Sequence, residues 1–275
     1  MNMGWNNDQT ESMWRYNTII EKLYDRAKED GVEFHPFVVA ITWPSVWRSI
    51  SDLVVSKKLF HLISYPNKTL DADELGLTWM NWIVNDKISS LIENEKEEKP
   101  KLVLIGHSLG ARILTRALFS TKHLLDSKKS DSVDLLIGLQ PAFSARRFVE
   151  SSGIEGYPYS DYRDKKARLV FTTSVHDRAN PIANYITGAK HLGGSKGLSY
   201  ARKIQEKRKS EGDSSIFEIK NWTDASKEKL VNNSTVLVID ASNIVVGSDE
   251  PSLSAHNDIL DDDMSRLIWH YIEGI

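Results

Sequence analysis

The feature that most constrains the fold is an alternation of short, continuously apolar runs with longer helical patterns. Four of the runs are KLVLIG, SVDLLIGL, ARLVFTTS and STVLVIDA, and a fifth, FVVAITW at Phe37–Trp43, precedes them. Strands that are apolar at every position are covered on both faces, as in parallel sheets flanked by helices. The sequence therefore predicts an α/β fold with a mostly parallel central sheet.

Helical patterns separate the predicted strands. Asp8 and Glu11 have the spacing of a capping box before an amphipathic stretch, and Asp71 and Glu74 have the same spacing before a long helix that extends to the charged run NEKEEK. A last amphipathic helix follows HNDIL near the C-terminus. These patterns predict helices on both faces of the sheet.

The chain is interpreted as one domain over residues 1–275, with two segments that interrupt the alternation. Residues 45–66 carry apolar side chains without a strand pattern, which fits either a packed helix or a lid over a site. Residues 180–233 are long, contain glycine and are locally basic, so we interpret them as an insertion before the last strand. Their basic run is interpreted as a solvated helix face.

Composition narrows the classes of function. The chain has no cysteine, which excludes disulfides, thiolate catalysis and Cys-ligated metal sites. A formal net charge of -3 gives no reason to expect nucleic acid as a partner. No apolar run reaches membrane-spanning length, and MNMGWNNDQTES lacks the features of a secretory signal. We therefore expect a soluble, cytoplasmic protein without stable membrane insertion.

The clearest chemical signal is GHSLG at residues 106–110, between KLVLI and an amphipathic stretch. A serine hydroxyl is a poor nucleophile unless a base removes its proton and a tight turn exposes it. Such a turn needs small neighbours, which Gly106 and Gly110 supply on either side of His107, Ser108 and Leu109. In this strand-to-helix context the motif favours Ser108 as a nucleophile over an incidental serine in a glycine-bounded turn.

The base and its orienting acid are expected at the carboxyl ends of later strands, where ligands of open α/β sheets bind. His256 stands in SAHNDIL, between the last strand and the last helix, and is the candidate base. Asp177 directly follows ARLVFTTS and is the candidate acid, while Asp240 at the end of the last strand is the alternative. His176, beside Asp177, is interpreted as lining the same loop.

The other histidines after the motif are weaker candidates. His123 lies at the far end of the helix after GHSLG, and His270 lies inside the terminal helix. Both are interpreted as structural or exposed. His191 lies in the insertion, where the sequence alone assigns it no role.

With this order of Ser108, Asp177 and His256, the chain resembles the α/β-hydrolase superfamily of serine hydrolases, with GHSLG as its nucleophile elbow. MGWNN and VVAITWPS are similar to the HGW-N and WPS segments of a poorly characterised bacterial branch of that superfamily. The resemblance covers the chain from Gly4 to the terminal helix, and it implies an α/β-hydrolase fold.

The resemblance also implies a role for each residue. Ser108 would be the nucleophile, Asp177 the orienting acid and His256 the base of a cycle that passes through an acyl-enzyme and needs no cofactor or metal. The backbone N–H of Leu109 would be one oxyanion-hole donor, with a second near Gly4 and Trp5.

The sequence departs from the family at its N-terminus. In the family a strand ending in His-Gly precedes this loop, whereas Met3 occupies the position of that histidine here. We therefore expect that the chain begins late and lacks the N-terminal strand, and that a targeting signal could have been lost with it.

The resemblance indicates a carboxylic-ester hydrolase of esterase or lipase type that acts on a small-molecule or lipid acyl substrate. Thioesters, amides and acyl transfer use the same acyl-enzyme, so the sequence does not separate them. Two alternatives are a hydrolase-fold binding protein without turnover, in which the oxyanion loop is incomplete, and a lipase-type effector or acyltransferase.

Overall fold

Five strands form the central sheet: β1 Leu102–His107, β2 Val133–Leu139, β3 Arg168–Thr173, β4 Phe217–Asn221 and β5 Val236–Asp240. The computed structural model describes residues 9–43, 57–95, 99–123, 132–149, 155–212, 216–226, 235–247 and 254–275. Within these ranges the spatial order is β1-β2-β3-β5-β4, and every pairing is parallel. The predicted α/β class with a parallel sheet flanked by helices is confirmed.

Helices cover both faces of this sheet. They are α1 Gln9–Glu29, α2 Lys57–Leu75, α3 Ser89–Asn94, α4 Leu109–Leu118, α5 Ala179–Thr187, α6 Ser195–Ser210, α7 Trp222–Ala225, α8 Ser254–Asn257 and α9 Asp262–Glu273. Side chains of α2, α4 and α6 share one apolar cluster with Leu136 and Val238, and those of α1, α7 and α9 share another with Leu135 and Ile137. Successive residues of β2 thus pack against opposite layers, which explains why the run is continuously apolar.

The prediction of a strand at Phe37–Trp43 is wrong. These residues follow α1 without joining the sheet, and Phe37 is 91% exposed. The run has the composition of a buried strand, but β1 pairs with only β2 among the described strands, and no residue of the run pairs with the other edge of β1. Its C-terminal part nevertheless contacts the fold: the Tyr16 hydroxyl donates to the Ile41 carbonyl at 2.6 Å, and Trp43 packs in an apolar cluster with side chains of α2 and α4.

The predicted insertion at residues 180–233 contains most of α5, then α6, β4 and α7. The prediction missed β4, which lies at the edge of the sheet beside β5. Its sequence, FEIKN, alternates apolar with charged residues, and only Phe217 is fully buried. An edge strand of this kind lacks the continuous apolar run that identified the other strands.

The helix predicted to begin near residue 72 begins earlier. A helical run extends from Lys57 to Asn94 through two π-helical segments, Gly76–Met80 and Ile83–Ile88. Asp71 therefore lies inside α2, where it pairs with Lys68 at 2.9 Å instead of capping a helix start. In the candidate lid at residues 45–66, residues 57–66 are helical and residues 45–56 lie outside the described residues.

A buried ion cluster fastens α2 to the rest of the fold. Arg112 on α4 and Arg147 each bind both carboxylate oxygens of Asp73 on α2, at 2.6–3.1 Å. Both arginines also bind Glu155, whose side chain is 5% exposed. Burial alone would raise the pKa of Asp73, but the two guanidinium groups lower it to about 2. The two cations and two carboxylates balance in charge, so each depends on the others.

We expect Arg147→Met to lower the free energy of unfolding by about 3–5 kcal/mol, because it leaves two buried carboxylates, Asp73 and Glu155, with Arg112 as their one remaining guanidinium partner in the cluster. Urea unfolding followed by tryptophan fluorescence measures the change. Arg146→Met is the matched control, because the Arg146 guanidinium lies over the Tyr200 ring at 5.2 Å and its loss should cost about 1 kcal/mol. Equal losses in the two variants would contradict a special role for the cluster.

Candidate active site

Ser108 occupies the turn between β1 and α4. Its φ of 54° and ψ of -120° are uncommon for a residue other than glycine, and such a conformation persists only where the surroundings impose it. The Ser108 N–H donates to the Leu139 carbonyl at 2.9 Å, and its own carbonyl accepts from Arg112 and Ala142 at 3.2 Å. These bonds hold the strand-to-helix turn that the sequence predicted at GHSLG.

Gly106 is required by the tightness of this turn. A Cβ atom at Gly106 would lie 2.7 Å from the Ala111 nitrogen and 2.8 Å from the Gly110 carbonyl carbon. Both atoms belong to the backbone of the first turn of α4, so neither can move aside. The small residues predicted around the serine therefore let the helix begin directly beside the strand.

The structure brings Ser108, His256 and Asp177 together from three separate segments of the chain. The Ser108 Oγ lies 2.8 Å from Nε2 of His256, and Nδ1 of His256 lies 2.9 Å from Oδ2 of Asp177. His256 belongs to α8, and Asp177 lies between β3 and α5. All three side chains are nearly fully buried. Asp177 and Ser108 lie 79 and 148 positions before His256 in the sequence, and the three side chains form one continuous series of hydrogen bonds.

The ionised carboxylate of Asp177 determines which atom donates in each of these two hydrogen bonds. An ionised carboxylate only accepts hydrogen bonds, so Nδ1 of His256 carries the proton that it donates to Asp177. Nε2 then has a free lone pair and accepts from the Ser108 hydroxyl. This is the tautomer in which an imidazole can remove a proton from serine.

Asp177 is held in its ionised form. Its Oδ1 accepts from the backbone N–H groups of Ala179 and Asn180, and its Oδ2 accepts from His256 and from the side-chain amide of Asn180. Burial raises the pKa of this carboxyl, but the charge and hydrogen bond of His256, together with the donors from Asn180, lower it overall. The carboxylate can therefore stabilise a positive charge on His256.

His107 supports the base from its other side. Its Nε2 donates to the backbone carbonyl of His256 at 2.7 Å, and the two rings lie 4.7 Å apart. Burial and the neighbouring His256 lower the pKa of His107 well below its usual value, so it is a neutral donor here. The sequence placed His107 in the elbow but did not reveal this contact.

The predicted oxyanion donors are described only in part. Leu109 is the first residue of α4, so its N–H has no partner within the helix and lies beside Ser108. Gly4 and Trp5, predicted to supply the second donor, lie outside the described residues.

The remaining candidates lie elsewhere. Asp240 pairs with Arg202 at 3.1 Å and accepts from the Ser242 N–H, so the structure joins Asp177 rather than Asp240 to His256. His176 and His123 are exposed, and His270 packs against Trp222. His191 is fully buried beside Asn180, a residue that the sequence analysis did not single out.

Within the described ranges, no group of three or more His, Asp or Glu side chains is arranged to hold a metal ion. None of the described helices is both long and apolar enough to cross a membrane. Comparisons of this chain with protein-family models, with curated proteins and with solved structures found no match.

Proposed function

We propose that this protein is a serine hydrolase that cleaves a carboxylic ester through an acyl-enzyme on Ser108. The observation that carries the proposal is the hydrogen-bonded chain from Ser108 through His256 to Asp177, with the serine on a positive-φ turn. A nucleophile, a base in the required tautomer and an ionised orienting acid are the parts that acyl transfer needs.

In the first half of the cycle, the Ser108 Oγ attacks the ester carbonyl carbon while Nε2 of His256 takes the hydroxyl proton. The carbonyl oxygen becomes an oxyanion, toward which the Leu109 N–H can donate. The carboxylate of Asp177 stabilises the imidazolium. His256 then gives the proton to the leaving alkoxy oxygen, the C–O bond breaks, and an acyl ester remains on Ser108.

In the second half, His256 removes a proton from a water molecule whose oxygen attacks the acyl carbon. The tetrahedral intermediate collapses, the bond to Oγ breaks, and the proton on Nε2 returns to Ser108. The products are an alcohol and a carboxylic acid, and the side chains are restored. The residues of this chain supply every proton transfer, so the cycle requires no cofactor.

The assignment to the α/β-hydrolase superfamily is part of this proposal. It is supported by the chain order of Ser108, Asp177 and His256, and by their positions after β1, β3 and β5 of a parallel sheet. The acyl group of the substrate, small or lipid-like, is not specified by these residues.

The test is a reaction with a fluorophosphonate probe, followed by peptide mass spectrometry. We expect one adduct, on Ser108. We also expect hydrolysis of p-nitrophenyl esters, and a series of these esters with different acyl lengths identifies the preferred acyl chain. Absence of both an adduct and ester hydrolysis would favour the alternative, a binding protein without turnover.

A further inference from the structure

The carboxylate of Asp177 has a second side-chain partner that sequence analysis did not predict. Nδ2 of Asn180 donates to Oδ2 of Asp177 at 2.6 Å, and this is the same oxygen that accepts from His256. Asn180 is 1% exposed and lies in the first turn of α5. Its amide is therefore one of two side-chain groups that fix the oxygen facing the base.

An asparagine amide can present either end to a neighbour. With NH2 toward Asp177 the contact is a hydrogen bond, whereas with the carbonyl toward Asp177 two oxygens would repel each other. The far end of the amide decides between these orientations: Oδ1 of Asn180 lies 3.1 Å from Nδ1 of His191. A proton on that ring nitrogen would hold the carbonyl oxygen in place and leave NH2 facing the carboxylate.

The surroundings of His191 favour this protonation. The ring is fully buried, and burial lowers its pKa to about 3, so it is neutral and carries one N–H. Nε2 of His191 has no hydrogen-bond partner among the described residues. A buried N–H without an acceptor is costly, and therefore the proton belongs on Nδ1, which has Oδ1 of Asn180 at 3.1 Å as its nearer acceptor and the Tyr65 hydroxyl oxygen at 3.4 Å as a second neighbour.

The ring is also held in position. The backbone N–H of His191 donates to Oδ1 of Asn184 at 2.7 Å, and the Tyr65 ring of α2 packs over the imidazole with centroids 6.0 Å apart. The following loop is tight against the amide, since a Cβ at Gly193 would lie 2.6 Å from Nδ2 of Asn180. These contacts leave the amide little room to turn.

We propose that His191 and Asn180 are positioning residues for Asp177: the ring N–H of His191 orients the Asn180 amide, whose NH2 holds the carboxylate against His256. The inference rests on the proposed function, because it concerns the acid of the same site. A carboxylate that lost this donor would turn away from Nδ1 of His256, and small displacements in such a site cost about 10²-fold in rate.

The test compares His191→Leu, His191→Asn and Asn180→Ala with the wild-type protein on an activated ester. We expect His191→Leu and Asn180→Ala to lower kcat about 10- to 100-fold with KM nearly unchanged. His191→Asn should recover most of the activity, because its amide nitrogen can donate from nearly the same place as Nδ1. His270→Leu is the control for removing a packed histidine away from the site, and its kcat should stay within about twofold of wild type.

To distinguish positioning of Asp177 from a purely structural role of His191 and Asn180, the same substitutions are repeated in the Asp177→Asn variant. If His191 acts through Asp177, His191→Leu should lower kcat little further in that background, whereas independent effects multiply. Full multiplication, or wild-type activity in both His191→Leu and Asn180→Ala, would overturn the inference while leaving the proposed function intact. A wild-type protein inert to esters and to the fluorophosphonate probe would overturn both. Should His191→Leu not fold, Asn180→Ala, made in the wild-type protein and in Asp177→Asn, gives the same comparison.

Discussion

Replacing Ser108 or His256 with alanine is expected to lower kcat for a short activated ester by about 10⁴- to 10⁶-fold. In the proposed mechanism, Ser108→Ala removes the atom that would form the acyl-enzyme. His256→Ala removes the nitrogen that lies 2.8 Å from that atom and would take its proton. The measurement is steady-state hydrolysis of p-nitrophenyl acetate, with KM determined for each variant so that the loss can be assigned to kcat.

The double variant gives a sharper result than either single change. Because the two residues act as one unit, Ser108→Ala combined with His256→Ala should be about as slow as Ser108→Ala alone. Ser120→Ala is the matched control: Ser120 is also buried, but its Oγ donates to the Arg116 carbonyl at the end of α4. More than a tenth of wild-type activity in Ser108→Ala would remove Ser108 from the mechanism.

The strands of the sheet were predictable to the extent that they are covered on both faces. β1, β2, β3 and β5 are runs whose successive side chains pack into opposite helical layers, and such runs stand out in a sequence. Phe37–Trp43 has the same composition and is not a strand, because its residues form no ladder with β1 or with any other described strand. Pairing is a property of the assembled sheet, which the local sequence does not encode.

The grouping of Ser108, Asp177 and His256 was predictable because the sheet topology restricts where these residues can lie. Parallel strands end at one edge of the sheet, so polar residues in the connections that follow β1, β3 and β5 can lie near one another. The choice of Asp177 over Asp240 follows from the hydrogen bond to His256, which sequence position alone left open.

The supporting contacts were not predictable. Asn180 and His191 are 11 positions apart, with most of α5 between them, and they meet because the loop after that helix folds back. The ion cluster joins Asp73 to Arg147 over 74 residues. No spacing rule links such pairs, because their contact depends on how α2 and α5 pack at the carboxyl edge of the sheet.

The strain at Ser108 connects the fold to the chemistry. A positive φ at serine costs about 1–3 kcal/mol, which the three backbone hydrogen bonds of the turn and the packing of α4 must offset. Leu109 begins α4 directly after Ser108, so the turn places the serine beside the first N–H of that helix. In the proposed mechanism, a relaxed turn would separate the nucleophile from the donor at Leu109.

The choice of acid is tested by a second large effect. Asp177→Asn is expected to lower kcat about 10³- to 10⁴-fold. An asparagine amide that donates to Nδ1 of His256 favours the tautomer with its proton on Nε2, and that tautomer cannot accept the proton of Ser108. Asp240→Asn should stay within about threefold of wild type, since Asp240 pairs with the half-exposed Arg202 and such partly solvated pairs contribute little.

Asp177→Asn and Asp240→Asn are nearly isosteric with the wild-type residues. Thermal unfolding should therefore confirm that both variants fold before their kinetics are compared. A fluorophosphonate labelling rate adds a measure that does not depend on ester binding. The assignment requires that labelling of Ser108 slow sharply in Asp177→Asn and remain fast in Asp240→Asn. If Asp240→Asn is the slow variant, Asp240 at the end of β5 orients His256, and the hydrogen bond between His256 and Asp177 is not required for catalysis.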